Sequence, residues 1–265
     1  MNGRRWLFLF VCWFGLHVSC GAQGTDAPAN SPGNDLAGKV SATRASEGVE
    51  LRMEVVVTRP ADSQPPFKLA LIGQFNQAHD RMLVRGISPA NVQGLHIYSE
   101  RDGAGNIHTV SYRSDTSDSA SDAFSPINPE LGLFGSDLTI QDFYWPWFRW
   151  RNQTLAGEGR ANGKVCQLLK SVNDDPASLM QEVVSCIDTE SNIALRTEIY
   201  GAHHRLSRII DVVATVSNRQ GQVVAKTIRV TGERGAATEA RVYSGDEEYP
   251  IRSNTFPVLA TAPGH

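Results

Sequence analysis

The 265-residue sequence has none of the short patterns that build common catalytic centres. There is no Gly-x-Ser-x-Gly elbow, no His-Glu-x-x-His, no phosphate-cradling glycine loop and no Cys-x-x-Cys pair. His203 and His204 are adjacent, so in a strand they face opposite sides and cannot share one metal ion. A hydrolase centred on either would need a carboxylate or nucleophile within hydrogen-bond reach. His79, His96 and His108 are scattered, and Asp174-Asp175 falls in a turn and reads as solvated. No catalytic residue, metal or cofactor is called for. Cation excess is missing too: 25 Lys and Arg stand against 28 Asp and Glu, and Arg4 and Arg5 lie in the first twenty residues. That balance argues against nucleic acid or an anionic membrane surface as the main partner. The one long apolar run, Trp6–Val18, falls short of the about 20 residues that span a bilayer.

What that run does resemble is an export signal. Arg4 and Arg5 precede it and small residues follow, so residues 1–20 read as a signal peptide. Two cuts are open. Cys20-Gly21-Ala22 suits a general signal peptidase, whereas Val18-Ser19-Cys20 is the end of a lipoprotein box in which His17 stands where Leu is usual. The second cut would make Cys20 an acylated first residue, and two or more chains anchor a protein stably to a membrane. The expected location is therefore the periplasm, either free or, with Cys20 acylated, anchored to the outer membrane.

Cysteine is scarce. Of four, Cys12 and Cys20 lie in the signal, leaving Cys166 and Cys186 for the folded part. They flank a hairpin, Val165–Val172 and Glu182–Ile187, with their midpoint at Pro176 in the turn. Directly opposed residues of a non-hydrogen-bonded antiparallel pair come within disulfide range, and an exported protein meets an oxidising compartment. A Cys166–Cys186 bridge is expected, the alternative being two buried thiols.

Residues 21–46 are rich in Gly, Ala, Ser, Asn, Asp and Pro and read as a flexible linker, with one domain over 47–265. From Val49 the pattern alternates: Val49, Leu51, Met53, Val55 and Val57 point one way, with Glu50, Arg52, Glu54 and Thr58 opposed. Similar runs recur to Glu239–Ser244, joined by polar turns such as Ala161-Asn162-Gly163 and Asn218–Gly221. About eleven or twelve short strands in this layout predict a mainly β (α+β) fold, one large antiparallel sheet that has to curl. One segment departs from it. Gly135-Ser136-Asp137 opens like a capped helix that continues through Leu138, Gln141 and Asp142 and ends at Pro146. Six of the eight residues Phe143–Trp150 are aromatic; they either line an apolar pocket or plug one end of the sheet as core.

The order of several motifs resembles a known family. Arg81-Met-Leu-Val-Arg-Gly-Ile-Ser-Pro89 followed by Gln93-Gly-Leu-His-Ile-Tyr98 is similar to its strand, Pro and Gly-Leu strand pair. Gly135-Ser136-Asp137-Leu138 with Asp142-Phe143 resembles its Gly-Ser-Asp-Phe…Asp-Leu helix start. Leu155–Gly159, Asn162–Leu169 and Ile187–Tyr200 follow in order. The family is the bacterial outer-membrane lipoprotein-sorting proteins, LolA-like in fold, and the resemblance runs from about Gly48 to Leu259. It implies an unclosed, eleven-stranded half-barrel with short covering helices and an apolar cavity for acyl chains of lipids or lipoproteins. It places Phe143, Tyr144, Trp145, Trp147 and Phe148 in that cavity or at its mouth, and implies partner proteins of a lipoprotein transport system. Ile187 departs from the pattern, which usually has Trp before the aspartate. Fold does not fix function, so a second reading stands beside the first: an envelope-sensing or scaffolding lipoprotein that grips a protein partner with the same half-barrel.

Overall fold

A computed structural model describes residues 31–44, 46–59, 64–76, 80–102, 106–113, 124–232 and 235–257. The signal, Cys20, the first ten residues of the expected linker, His79 and most of the Ser/Asp-rich loop after Tyr112 lie outside the described residues.

Strands form where the alternation places them: β1 Ser46–Thr58, β2 Phe67–Phe75, β3 Asp80–Ser88, β4 Leu95–Arg101 and β5 Ile107–Arg113. After the two-residue β6, Ser125–Pro126, come β7 Asn152–Ala161, β8 Lys164–Val172, β9 Glu182–Asp188 and β10 Ile193–Gly201. β11 Arg205–Ser217, β12 Val223–Gly232 and β13 Ala237–Asp246 complete one antiparallel sheet of 13 strands. The expected count of about eleven is exceeded partly because β6 is too short to leave an alternating signature. Asn162 (φ 51°) and Gly163 (φ 76°) both take the left-handed conformation that a tight hairpin turn requires, as Asn-Gly predicts.

Spatial order is β6-β5-β4-β3-β2-β1-β13-β12-β11-β10-β9-β8-β7. Every neighbour is also a sequence neighbour except β1 and β13, which meet in the middle. The sheet stays open, with β6 and β7 as its edges. Ile97 of β4 and Leu169 of β8, far apart in that order, belong to one buried cluster with Met53, Leu69, Val183 and Val230. Strands this distant can share a core only if the sheet wraps around it. Register shifts in β1, β7, β10 and β11 supply the local bending. On the other face a C-terminal strap packs Phe256, Tyr249 and Ile251 over Ile72, Leu83 and Tyr98.

Two expectations change. Part of the stretch expected as a linker is a helix, α1, Pro32–Ala42. Ser31 caps it by accepting from the Asn34 N–H at 3.2 Å, Pro32 opens it, and Leu36, Ala37 and Val40 form its buried stripe. A Cβ on Gly33 would come within 2.5 Å of the Gln153 carbonyl oxygen, so this glycine lets the helix lie directly on β7. The expected helix after Gly135 is also shorter. Leu133–Gly135 is a 3₁₀ turn, α2 covers only Gln141–Tyr144, and a second 3₁₀ turn spans Pro146–Arg149. Trp145, at φ 50°, ends α2 just before Pro146.

The Cys166–Cys186 disulfide is formed, with Cα atoms 5.3 Å apart. The cysteines are diagonal rather than directly opposed: Leu168 faces Cys186, because the β8–β9 turn is centred one residue later than the cysteine midpoint suggests.

Candidate functional site

Because the two sheet edges, β6 and β7, are consecutive in sequence, the chain between them has to cross the open side of the sheet. That crossing, residues 127–151, is a lid over the inner face. Leu133, Leu138, Ile140, Tyr144, Trp147 and Phe148 point into the core and are buried; Phe143 and Trp145 are partly buried against it. Tyr144 meets Phe75 edge-on at 6.3 Å between ring centroids, and its hydroxyl donates to the Ser99 carbonyl at 2.6 Å. Burial is the main reason its pKa is raised. Trp147 and Phe148 pack with centroids 5.9 Å apart, and Trp145 meets Phe148 edge-on at 6.2 Å. The five aromatics thus all pack against the inner face, Tyr144, Trp147 and Phe148 buried in it and Phe143 and Trp145 at its margin. Two open clefts are also present, one at the margin of this apolar packing and one on the other face. One of about 370 Å³ separates the lid at Glu130, Gln141 and Trp150 from the β8–β9 turn, and one of about 660 Å³ lies under the C-terminal strap beside Arg81.

Polar ties hold the lid down. Asp142 of α2 is buried and pairs with Arg208 of β11 at 2.7 Å, while its second oxygen accepts from the Thr139 N–H at 2.7 Å. Burial raises the Asp142 pKa, against the opposing pull of Arg208 and the Thr139 bond. Gln153 of β7 donates to the carbonyls of Trp147 (2.6 Å) and Trp150 (2.9 Å) and accepts from Ser171 (2.7 Å). The Asp137 N–H donates to Thr238 at 2.9 Å; Arg44 and Arg59 donate to the carbonyls of Tyr144 and Gly135.

The same seam carries unmet polarity. Gln141 Oε1, Trp147 Nε1, Arg208 Nε and one terminal nitrogen of Arg44 are buried with no hydrogen-bond partner. Such groups are scarce in native interiors, and each costs about 1–3 kcal/mol. Two non-glycine lid residues, Phe134 (φ 51°) and Trp145 (φ 50°), also sit in the left-handed region. The lid is seated on apolar contacts, with polar and backbone strain concentrated where it seats.

At one end of the inner face lies a charged cluster that no sequence motif marks. Asp80 Oδ2 accepts from Arg101 at 3.0 Å and lies 3.4 Å from Arg149; its Oδ1 has no partner. The Arg44 guanidinium lies 4.0 Å above the Phe75 ring, with Tyr144 and Trp145 at 5.5 and 5.9 Å. Burial pulls the Arg44 pKa down to about 10, opposed by Asp80 and Tyr144 and assisted by Arg149 and Arg101.

His203 (φ 59°) and His204 (φ 54°) form the exposed tip between β10 and β11. His204 stacks on Tyr200 at 4.4 Å and approaches Glu182 at 3.5 Å. Among the described residues no group of three or more His, Cys, Asp or Glu is placed to hold a metal ion, and no helix is long and apolar enough to cross a membrane.

No protein-family model and no curated protein matches the sequence. Solved structures do match the fold. A domain from Vibrio parahaemolyticus described as outer membrane lipoprotein-sorting aligns with TM-score 0.72 at 16% identity, over 84% of this chain and 94% of that one. A DUF1329 family protein from Desulfovibrio piger aligns with TM-score 0.72 at 16% identity, over 85% and 95%. A LolA superfamily protein from Nitrosomonas europaea aligns with TM-score 0.66 at 11% identity, over 85% and 97%. Over about 85% of its length this chain shares the LolA-like fold of these solved structures.

Proposed function

We propose that this protein is a non-enzymatic, exported binder of acyl chains, from lipids or lipoproteins, which it takes up between the sheet and the lid for sorting or transport toward the outer membrane. The observation that carries this reading is the seam under residues 127–151: an apolar inner face covered by a segment that leaves buried polar groups unmet. Displacing the lid hydrates Gln141, Trp147 and Arg208, and an acyl chain then replaces the lid's apolar contacts at about 0.8 kcal/mol per buried methylene. Membrane attachment through an acylated Cys20 would make the protein an anchored acceptor; a signal cut beyond it would make it a soluble carrier.

The test uses an accident of composition. Of five tryptophans, Trp6 and Trp13 lie in the signal and the other three, Trp145, Trp147 and Trp150, are all on the lid. Intrinsic fluorescence of the mature protein therefore reports the lid alone. Titration with lauric acid or a lysophospholipid below its micelle concentration should shift that emission saturably, and native mass spectrometry of protein from its own envelope should show an extractable lipid mass. Unchanged emission together with a clean apoprotein mass would sink the reading.

The second reading, a grip on a protein partner, is favoured by one feature. Glu130 ties the lid to the β8–β9 turn by accepting from Ser178 (3.0 Å) and the Leu179 N–H (3.2 Å), beside Leu131 and Leu179, which are 60% and 58% exposed. An envelope protein captured by wild type and released by a Leu131→Ser, Leu179→Ser variant, with no lipid bound, would support it.

A further inference from the structure

Among the described residues Arg44, Arg101 and Arg149 gather around a single carboxylate, Asp80, and the charge does not balance. Arg101 and Arg149 both address the same oxygen, Oδ2, at 3.0 and 3.4 Å. Arg44 spends one nitrogen on the Tyr144 carbonyl, leaves another with no partner, and otherwise rests on aromatic faces. Glu100 and Asp102, the carboxylates that flank Arg101 in sequence, are engaged elsewhere. Glu100 alternates to the opposite face of β4, where Tyr98 donates to it at 2.5 Å, and Asp102 accepts from the Asn106 backbone and side chain at 2.9 and 3.0 Å. A buried site with surplus positive charge is costly unless an anion completes it. The planar guanidinium fork suits carboxylate and phosphate oxygens in particular. The position matters as much as the charge. The cluster joins the second residue after α1, the start of β3, the end of β4 and the last turn of the lid, so it closes one end of the apolar inner face. Arg149, on the lid, is 30% exposed and gives an approach from solvent.

We infer that the Arg44–Arg101–Arg149 cluster is a headgroup site, which holds the oxyanion of an amphiphile whose acyl chain lies along the inner face. This rests on the acyl-chain reading above and narrows it to anionic cargo. The oxyanion has two sources, a fatty-acid carboxylate or a lipid phosphate. Arg149 and the unmet Arg44 nitrogen are its donors, while Arg101 stays with Asp80 and keeps the cluster in place.

The experiment compares twelve-carbon probes on the mature protein: laurate, dodecyl phosphate, dodecanol and dodecyltrimethylammonium, each read by lid tryptophan emission. Wild type should bind an anionic probe at least tenfold more tightly than dodecanol, and the cationic probe most weakly. Whether laurate or dodecyl phosphate is favoured identifies the source of the oxyanion. Arg149→Gln should reduce the anionic preference to within about twofold of dodecanol, and Arg149→Lys should restore part of it. Equal binding of anionic and neutral probes by wild type, or an unaltered preference in Arg149→Gln, overturns the headgroup site while the acyl-chain reading stands. If no probe of any charge binds, both fall together.

Discussion

Gln153 shows how much one side chain can hold at the lid. It is buried in the edge strand β7, its amide nitrogen serves two lid carbonyls, its amide oxygen takes the Ser171 hydroxyl, and its own carbonyl receives α1. Replacing it by Leu leaves those partners buried and unmet, so Gln153→Leu should destabilise by about 1–3 kcal/mol in urea unfolding. The loss should appear first as red-shifted tryptophan emission at low urea. The Asp142–Arg208 pair obeys a different rule. Removing one partner strands a buried charge, so Asp142→Leu alone should cost about 3–5 kcal/mol, whereas Asp142→Leu combined with Arg208→Met should recover most of it. A double variant no better than the single would mean that the pair contributes little. Glu198 answers to pH. The Tyr200 hydroxyl holds its pKa below the ordinary 4.5, with Arg196 adding to the effect against partial burial. A depressed carboxylate stabilises the fold above its unfolded pKa and loses that contribution as pH falls through the lower folded value. Melting temperature should therefore drop more steeply below pH 4.5 in wild type than in Glu198→Gln.

Among the elements, legibility followed periodicity. Strands such as β1 and β10 are readable because each alternates with period two, and β2 and β3, buried on both faces where the C-terminal strap covers them, still read as short apolar runs between polar turns. β6 has only two residues and left no pattern to read. α1 was missed because Gly33, Ala37 and Gly38 look like linker composition, although Ser31-Pro32 with Leu36 and Val40 one turn apart carries the start signal and the stripe. Its helicity depends on β7 as a packing partner, which a local window cannot see. The aromatic run was legible as a cluster but not as a destination; both proposed environments need the same residues, and only the crossing from β6 to β7 directs them inward. The arginine cluster was illegible for a plainer reason: its four members span 44 to 149 and have no common spacing. The disulfide was readable in its pairing and not in its register. It closes a β8–β9 loop between residues 166 and 186, so Cys166→Ser should cost about 2–4 kcal/mol. Thermal melting with and without reductant checks this, and identical curves would contradict it.

For the whole molecule, the order of the strands has a consequence for how the chain is made. β1 is a central strand whose second neighbour, β13, is the last of the described strands to be synthesised. Until then one edge of β1 stays unpaired, an aggregation-prone template while most of the chain is being made. Seven strands, from β7 to β13, have to assemble on their own before the two halves can be stitched together, so completion is late and governed by a contact of long sequence separation. Completion of the chain and completion of the sheet then become nearly the same event. A chain stopped before its last strand would be a natural client for holding chaperones.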